Sequence, residues 1–149
     1  MVKKYNLRIT QHAYIFILAC SLVLLCLSLT SNPLSNALSR HDSSMFIYFG
    51  RGISDGMIPY LDMYDHKGII LFMINFVAQF IDSQYGLFIV EALFLMGSLI
   101  YLYRLLNLLI EDRLISALGI LVSTPLLMVC LQGGNLSEEY ALFFISGAL

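Results

Sequence analysis

Charge is scarce in this sequence: eight Lys and Arg and ten Asp and Glu make up 12% of 149 residues. Soluble domains carry roughly twice that share. With a formal net charge of -2 and no basic stripe, the composition excludes a nucleic-acid partner. Cysteine is scarce too. Cys20, Cys26 and Cys130 stand inside apolar blocks with no C-x-x-C pair and no metal-type spacing, which excludes a disulfide framework and a zinc site and leaves small buried hydrophobes. Internal repeats and low-complexity tracts are missing. So is a Gly-rich phosphate loop, because Gly133-Gly134 lacks a following Lys-Ser/Thr and reads as a turn.

Apolar length is what the chain has in quantity. It is 59% hydrophobic with a mean hydropathy of +0.83, and its apolar residues come in unbroken blocks. The expected fold class is all-α: a polytopic transmembrane helical protein, one membrane domain over residues 1–149, with spans at about 13–29, 86–103 and 114–131 and a partial span at 141–149. Ala13 to Leu29 is free of charge and follows Lys3, Lys4 and Arg8, which predicts a retained anchor with its amino terminus in the cytoplasm of a cell membrane. A cleaved signal fits less well, since the stretch exceeds a usual h-region and Pro33 intervenes. Nine residues at the end cannot cross a bilayer, so the chain reads as the amino-terminal part of a longer protein.

Gly68 to Ile81 decides the topology. Fourteen residues reach only about 21 Å at 1.5 Å each, short of a ~30 Å hydrocarbon core. Asn75, Gln79 and Asp82 recur at i, i+4 and i+7 as a polar stripe that lipid would not tolerate. A surface or re-entrant helix is expected. Without a span there, Arg104 and Arg113 fall on the cytoplasmic side and the positive-inside count becomes five to three instead of three to five. The loop from 30 to 85 and the loop at 132–140 then share the extracytoplasmic side.

Seven charged residues crowd into 30–67: Arg40, Asp42, Arg51, Asp55, Asp62, Asp65 and Lys67. Chemistry is expected there. Asp42 and Ser43 are N-cap types, Met45, Phe46 and Phe49 give an apolar face and Gly56 is a natural stop, so a second surface helix is predicted before a turn at Gly56–Pro59. Asp62, Asp65 and His66 admit two readings: ligands of a divalent cation, or loop residues that set the shape of the chain. Glu138 and Glu139 suit the start of the last helix. Glu91 is ionisable inside a span, where burial is costly, and is expected to hydrogen-bond the loop above it.

The segment HDSSMFIYFGRGISDGMIPYLDMYDHKGIILFMINF, residues 41 to 76, resembles the first extracytoplasmic loop of GT-C-fold glycosyltransferases of the dolichyl-phosphate-mannose-protein mannosyltransferase type, a glycosyltransferase 39-like group. The shared features are the acidic residue after span one, a G-x-x-PY-x-D segment and a D-x-K-G segment. Ile69 and Ile70 depart from the family's frequent prolines. What the resemblance implies is a membrane enzyme that transfers a sugar from a polyprenyl-phosphate donor to an acceptor on the outer face. Asp42 is then the catalytic base, Lys67 the contact to the donor phosphate, and Asp62, Asp65, His66, Glu138 and Glu139 supporting groups, with a divalent cation admitted. Such chemistry needs a carboxylate to take the acceptor proton and a cation to offset the departing phosphate. The implied partners are the polyprenyl-phosphate-linked sugar, the lipid bilayer and a carboxy-terminal remainder of the same enzyme. A non-catalytic polytopic scaffold or transporter subunit is the alternative, and it differs at Asp42, which only an enzyme needs.

Overall fold

A computed structural model describes residues 2–82 and 85–149, with side chains from residue 12 onward. The basic side chains of Lys3, Lys4 and Arg8 and the end of the first loop at 83–84 lie outside that description. Regular structure among the described residues is helical. The order is α1 (Val2–Ser28), α2 (His41–Ser54), α3 (Ile69–Ile81), α4 (Gly86–Ile110), α5 (Arg113–Leu131) and α6 (Ser137–Ala148).

Two helices, α4 and α5, are long and apolar enough to cross a membrane by length and composition. The apolar stretches His12–Ser28 of α1 and Ile69–Ile81 are shorter. The α4 helix runs to Ile110 instead of ending near 103. Leu105, Leu106, Leu108 and Leu109 are strong helix formers, and one Arg at 104 does not stop a helix. It stops at Glu111, which takes a left-handed φ of 56°. Asp112 then starts α5 by accepting the Leu114 and Ile115 amides at 2.9 Å each.

α1 and α5 run side by side in the same direction and α4 runs against both. At one end Tyr14 stacks on Tyr103 at 5.4 Å with the Arg113 guanidinium over the Tyr14 ring. At the other end Thr30 meets Gly133. Leu25, Leu29, Leu95, Leu99, Ile120 and Leu131 fill the space between them. Ser21, Ser98 and Thr124 are buried within this layer, and each donates to the carbonyl four residues back, so no helix hydroxyl among them is left without an acceptor.

The α2–α3 hairpin caps one end. Phe46, Phe49, Leu71, Phe72 and Ile74 form a second core with Val90 of α4 and Tyr140 of α6, Phe49 meeting Phe72 edge to face at 5.0 Å. α3 is 13 residues long, with Asn75 buried, Gln79 half-buried and Asp82 exposed. The sixth helix begins at Ser137, earlier than 141, so Glu138 and Glu139 occupy its first turn, where carboxylates oppose the positive end of the helix dipole.

Candidate functional site

The two loops meet at the hairpin end of the molecule. Four successive residues after α5, Gln132, Gly133, Gly134 and Asn135, all take positive φ, which folds the chain back over the end of α1. Thr30 fastens it there, its amide donating to the Gly133 carbonyl at 2.8 Å and its hydroxyl to the same oxygen at 2.9 Å. The Arg40 guanidinium bonds Gln132 Oε1. Gly134 takes a φ of 91°, which favours glycine, and a Cβ there would stand 2.7 Å from Leu29 Cδ2 and closer still to Glu91 Oε1, so both side chains would have to shift.

Asn135 is the hub beneath that turn. Its amide and that of Asn75 bond each other reciprocally at 2.9 and 3.1 Å. Its second N–H donates to the Ser43 carbonyl at 3.2 Å, and its oxygen also accepts the Tyr140 hydroxyl at 2.9 Å. One side chain thus ties α2, α3 and α6 to the α5–α6 turn. Its four bonds use every donor and acceptor of the amide, the condition under which a buried polar group stabilises rather than costs.

Two carboxyls lie next to this hub, both fully buried. Glu139 Oε2 accepts the backbone N–H of Asn135 at 2.8 Å, and Glu91 Oε2 accepts the Ser31 hydroxyl. Burial, and after it the Glu91 carboxylate, pushes the Glu139 carboxyl well above its ordinary range. Among the described residues the second oxygen of each, Oε1, has no hydrogen-bond partner.

Of the residues expected at the site Glu139 is here, whereas Asp42 and Lys67 are elsewhere. Asp42 is exposed in the first turn of α2, and the N-cap of that helix is Arg40, with no side-chain cap bond. Among the described residues its carboxylate makes no hydrogen bond or ion pair. Lys67 Nζ is engaged, 3.0 Å from Ser137 Oγ and 3.6 Å from Glu138 Oε1. Bonding to its own backbone amide, then to the Ser137 hydroxyl, with a lesser pull from Lys67, holds Glu138 below the usual carboxylate range.

Asp62 accepts the Ile58 amide at 2.7 Å and Asp65 the Lys67 amide at 2.8 Å, while His66 Nδ1 lies 3.5 Å from Asp65. These bonds set the shape of the loop. No group of three or more His, Cys, Asp and Glu able to hold a metal exists among the described residues. Glu91 does bond the loop above it, through Ser31. Sequence reasoning missed Asn135, whose one signal is the glycine pair before it.

Lys67 and Glu138 therefore do come together across the two loops, and Asp42 is not joined to them by any hydrogen bond or ion pair. An apolar groove of about 200 Å3 runs beside Lys67, between α3 and α6, lined by Ile70, Leu71, Ile74, Tyr140, Ala141 and Phe144 among others.

No curated protein and no solved structure matches the chain. A family model described as "Putative competence-induced protein Ccs4 N-terminal domain" matches residues 2–149. This corrects the resemblance drawn from residues 41 to 76: the matching family is not a glycosyltransferase family, and a short loop pattern built from Asp, Pro and Gly uses residue types that turns favour in general. The roles assigned to Asp42 and Lys67 by that resemblance lose their ground with it. Over almost its whole length the chain belongs to the family of Ccs4 N-terminal domains.

Proposed function

We propose that the chain is a membrane-embedded, non-catalytic scaffold domain, a helical anchor carrying a rigid polar platform at one end. One observation carries this reading: the side-chain amides and the phenol at the centre of the platform are spent on one another. Asn75, Asn135, Tyr140 and the Ser43 carbonyl close a circuit of bonds. The cation that a transferase would direct at a leaving phosphate is held by Ser137 and Glu138 instead. Among the described residues Asp42, the expected base, has no hydrogen-bond or ion-pair partner to orient it for proton transfer.

Embedding is supported by the outer faces of the long helices. Phe16 is 70% exposed, Val122 79% and Val129 73%, a run of large apolar side chains that water does not favour. Hydroxyls inside α1, α4 and α5 bond their own helices, as hydrocarbon surroundings require. The description of the family as competence-induced supports a use of the scaffold in competent cells.

The test uses the full gene in its membrane. Alkaline carbonate should leave the chain in the pellet. With the three native cysteines removed, single cysteines at Ser44 and Ser137 should label from one face and one at Asp112 from the other. Asp42→Asn should leave transfer from polyprenyl-phosphate sugars in those membranes unchanged. Loss of a transfer activity on Asp42→Asn would overturn the scaffold reading in favour of an enzyme.

A further inference from the structure

A polar cavity of about 280 Å3 opens beside the α1–α2 connection, lined by Thr30, Ser31, Asn32, Ser39, Arg51 and Gln79 among others. Ser31 is both its wall and a donor to Glu91 Oε2. Behind that hydroxyl stand two carboxyls at 0% exposure, Glu91 and Glu139. They reach the same turn from two helices. Glu139 Oε2 takes the backbone N–H of Asn135, and Glu91 Oε1 lies where a side chain on Gly134 would be.

The groups that face the pair are neutral. From α1 comes the Cys26 thiol and from α6 the Tyr140 phenol. The α1–α2 connection supplies Ser31, the α5–α6 turn Asn135, and α2 and α3 reach Asn135 with the Ser43 carbonyl and Asn75. The nearby cations are used elsewhere: Arg40 on Gln132, Arg51 on Gln79, Lys67 on Glu138. Two negative charges side by side in a low dielectric, with no cation to offset them, repel and are poorly solvated, so the pair favours the form with fewer charges. Among the described residues each carboxyl also keeps one buried oxygen, Oε1, with no donor. A proton held by either carboxyl supplies a donor that the pair lacks.

We propose that Glu91 and Glu139 form a proton-binding site that is charged and discharged through the Ser31 hydroxyl from the polar cavity. In the charging step a hydronium ion in the cavity gives a proton to Ser31 Oγ as Ser31 passes its own hydroxyl proton to Glu91 Oε2. Water is released, the serine is regenerated and the carboxylate becomes a carboxylic acid. The reverse sequence discharges it. Proton exchange then needs no opening of the core, because Ser31 touches both the cavity and the carboxyl. The site is independent of the scaffold reading, and it gives the platform a state that depends on pH.

The sign of that dependence follows from Glu139. Its folded-state carboxyl lies well above the ordinary 4.5, chiefly through burial. Below that ordinary value folded and unfolded chains both hold the proton and the stability contribution is intact. It is lost as pH rises from about 4.5 through the folded value.

The full chain in detergent tests this by infrared difference spectroscopy and thermal unfolding. At neutral pH the native protein should show the C=O stretch of a protonated, buried carboxyl. That band should be reduced or shifted in both Glu91→Gln and Glu139→Gln. The unfolding midpoint should fall as pH rises in the native chain and flatten in Glu139→Gln. Ser31→Ala should keep the band and slow its shift on transfer to heavy water. A native protein with no protonated carboxyl at neutral pH overturns the proposal, and that measurement needs no variant to fold. So does a midpoint set by added calcium or sodium rather than pH, which would make the ligand a metal cation. Unchanged exchange in Ser31→Ala would remove Ser31 as the relay.

Discussion

At the scale of single residues, the Gly134 position separates backbone strain from packing. Gly56 and Gly134 share a φ of 91°, but nothing lies within 4 Å of a Cβ at Gly56, whereas at Gly134 it would meet Leu29 and Glu91. Both alanine variants bear the left-handed cost, about 1 kcal/mol. Only Gly134→Ala adds overpacking, about 1–3 kcal/mol. Chemical unfolding in detergent should therefore find Gly56→Ala weakened by about 1 kcal/mol and Gly134→Ala by about 3 kcal/mol. Equal losses would show that the turn does not rest on Glu91. The same residues mark what the sequence reveals. Glu91 declares itself, because a carboxyl in an apolar run must find a partner. Asn135 does not, since its role is created by four consecutive positive-φ residues, and no spacing rule encodes where such a turn points an amide. Asp42 was given its role by a resemblance, while its residue type suggested only a helix cap, and its exposure at the helix surface could not be read from either.

Helix boundaries show the same division. The apolar blocks located α1, α4 and α5 because burial and helix length are both written in hydrophobic runs, and of these α4 and α5 are long and apolar enough to cross a membrane. The ends were less legible. α4 continues past Arg104 and α6 starts before its apolar block, because a helix can begin or finish with polar residues that face water. Capping has a similar asymmetry. Asp112 caps α5 with two hydrogen bonds, and Asp42, which has the right type for a cap, sits inside α2 and makes none. Asp112→Ala should cost about 1 kcal/mol and Asp42→Ala about 0.5 kcal/mol, the latter only through the helix dipole. Thermal unfolding of the two variants checks this order. A larger loss at Asp42 would mean that its carboxylate has a partner in the folded protein and would reopen its assignment.

For the whole molecule the question is what surrounds the apolar faces. The interior of the bundle is closed by Leu25, Leu95, Leu99 and Ile120, yet α5 turns Val122, Leu126 and Val129 outward. Water would penalise that surface, and lipid would not. An arginine on it distinguishes the two, because a charge at the centre of a spanning helix costs about 2.5–3.5 kcal/mol of insertion and almost nothing on a wet surface. Val122 is 79% exposed near the middle of α5, and Leu34 is 82% exposed in the α1–α2 connection. Val122→Arg should lower the fraction of chain retained in the membrane pellet after alkaline extraction, and Leu34→Arg should leave it at the native level. Val122→Leu, which keeps the apolar face, controls for damage to the helix. If Val122→Arg were retained as well as Leu34→Arg, the outer face of α5 would not lie in hydrocarbon, and the scaffold would have to be anchored by some other surface.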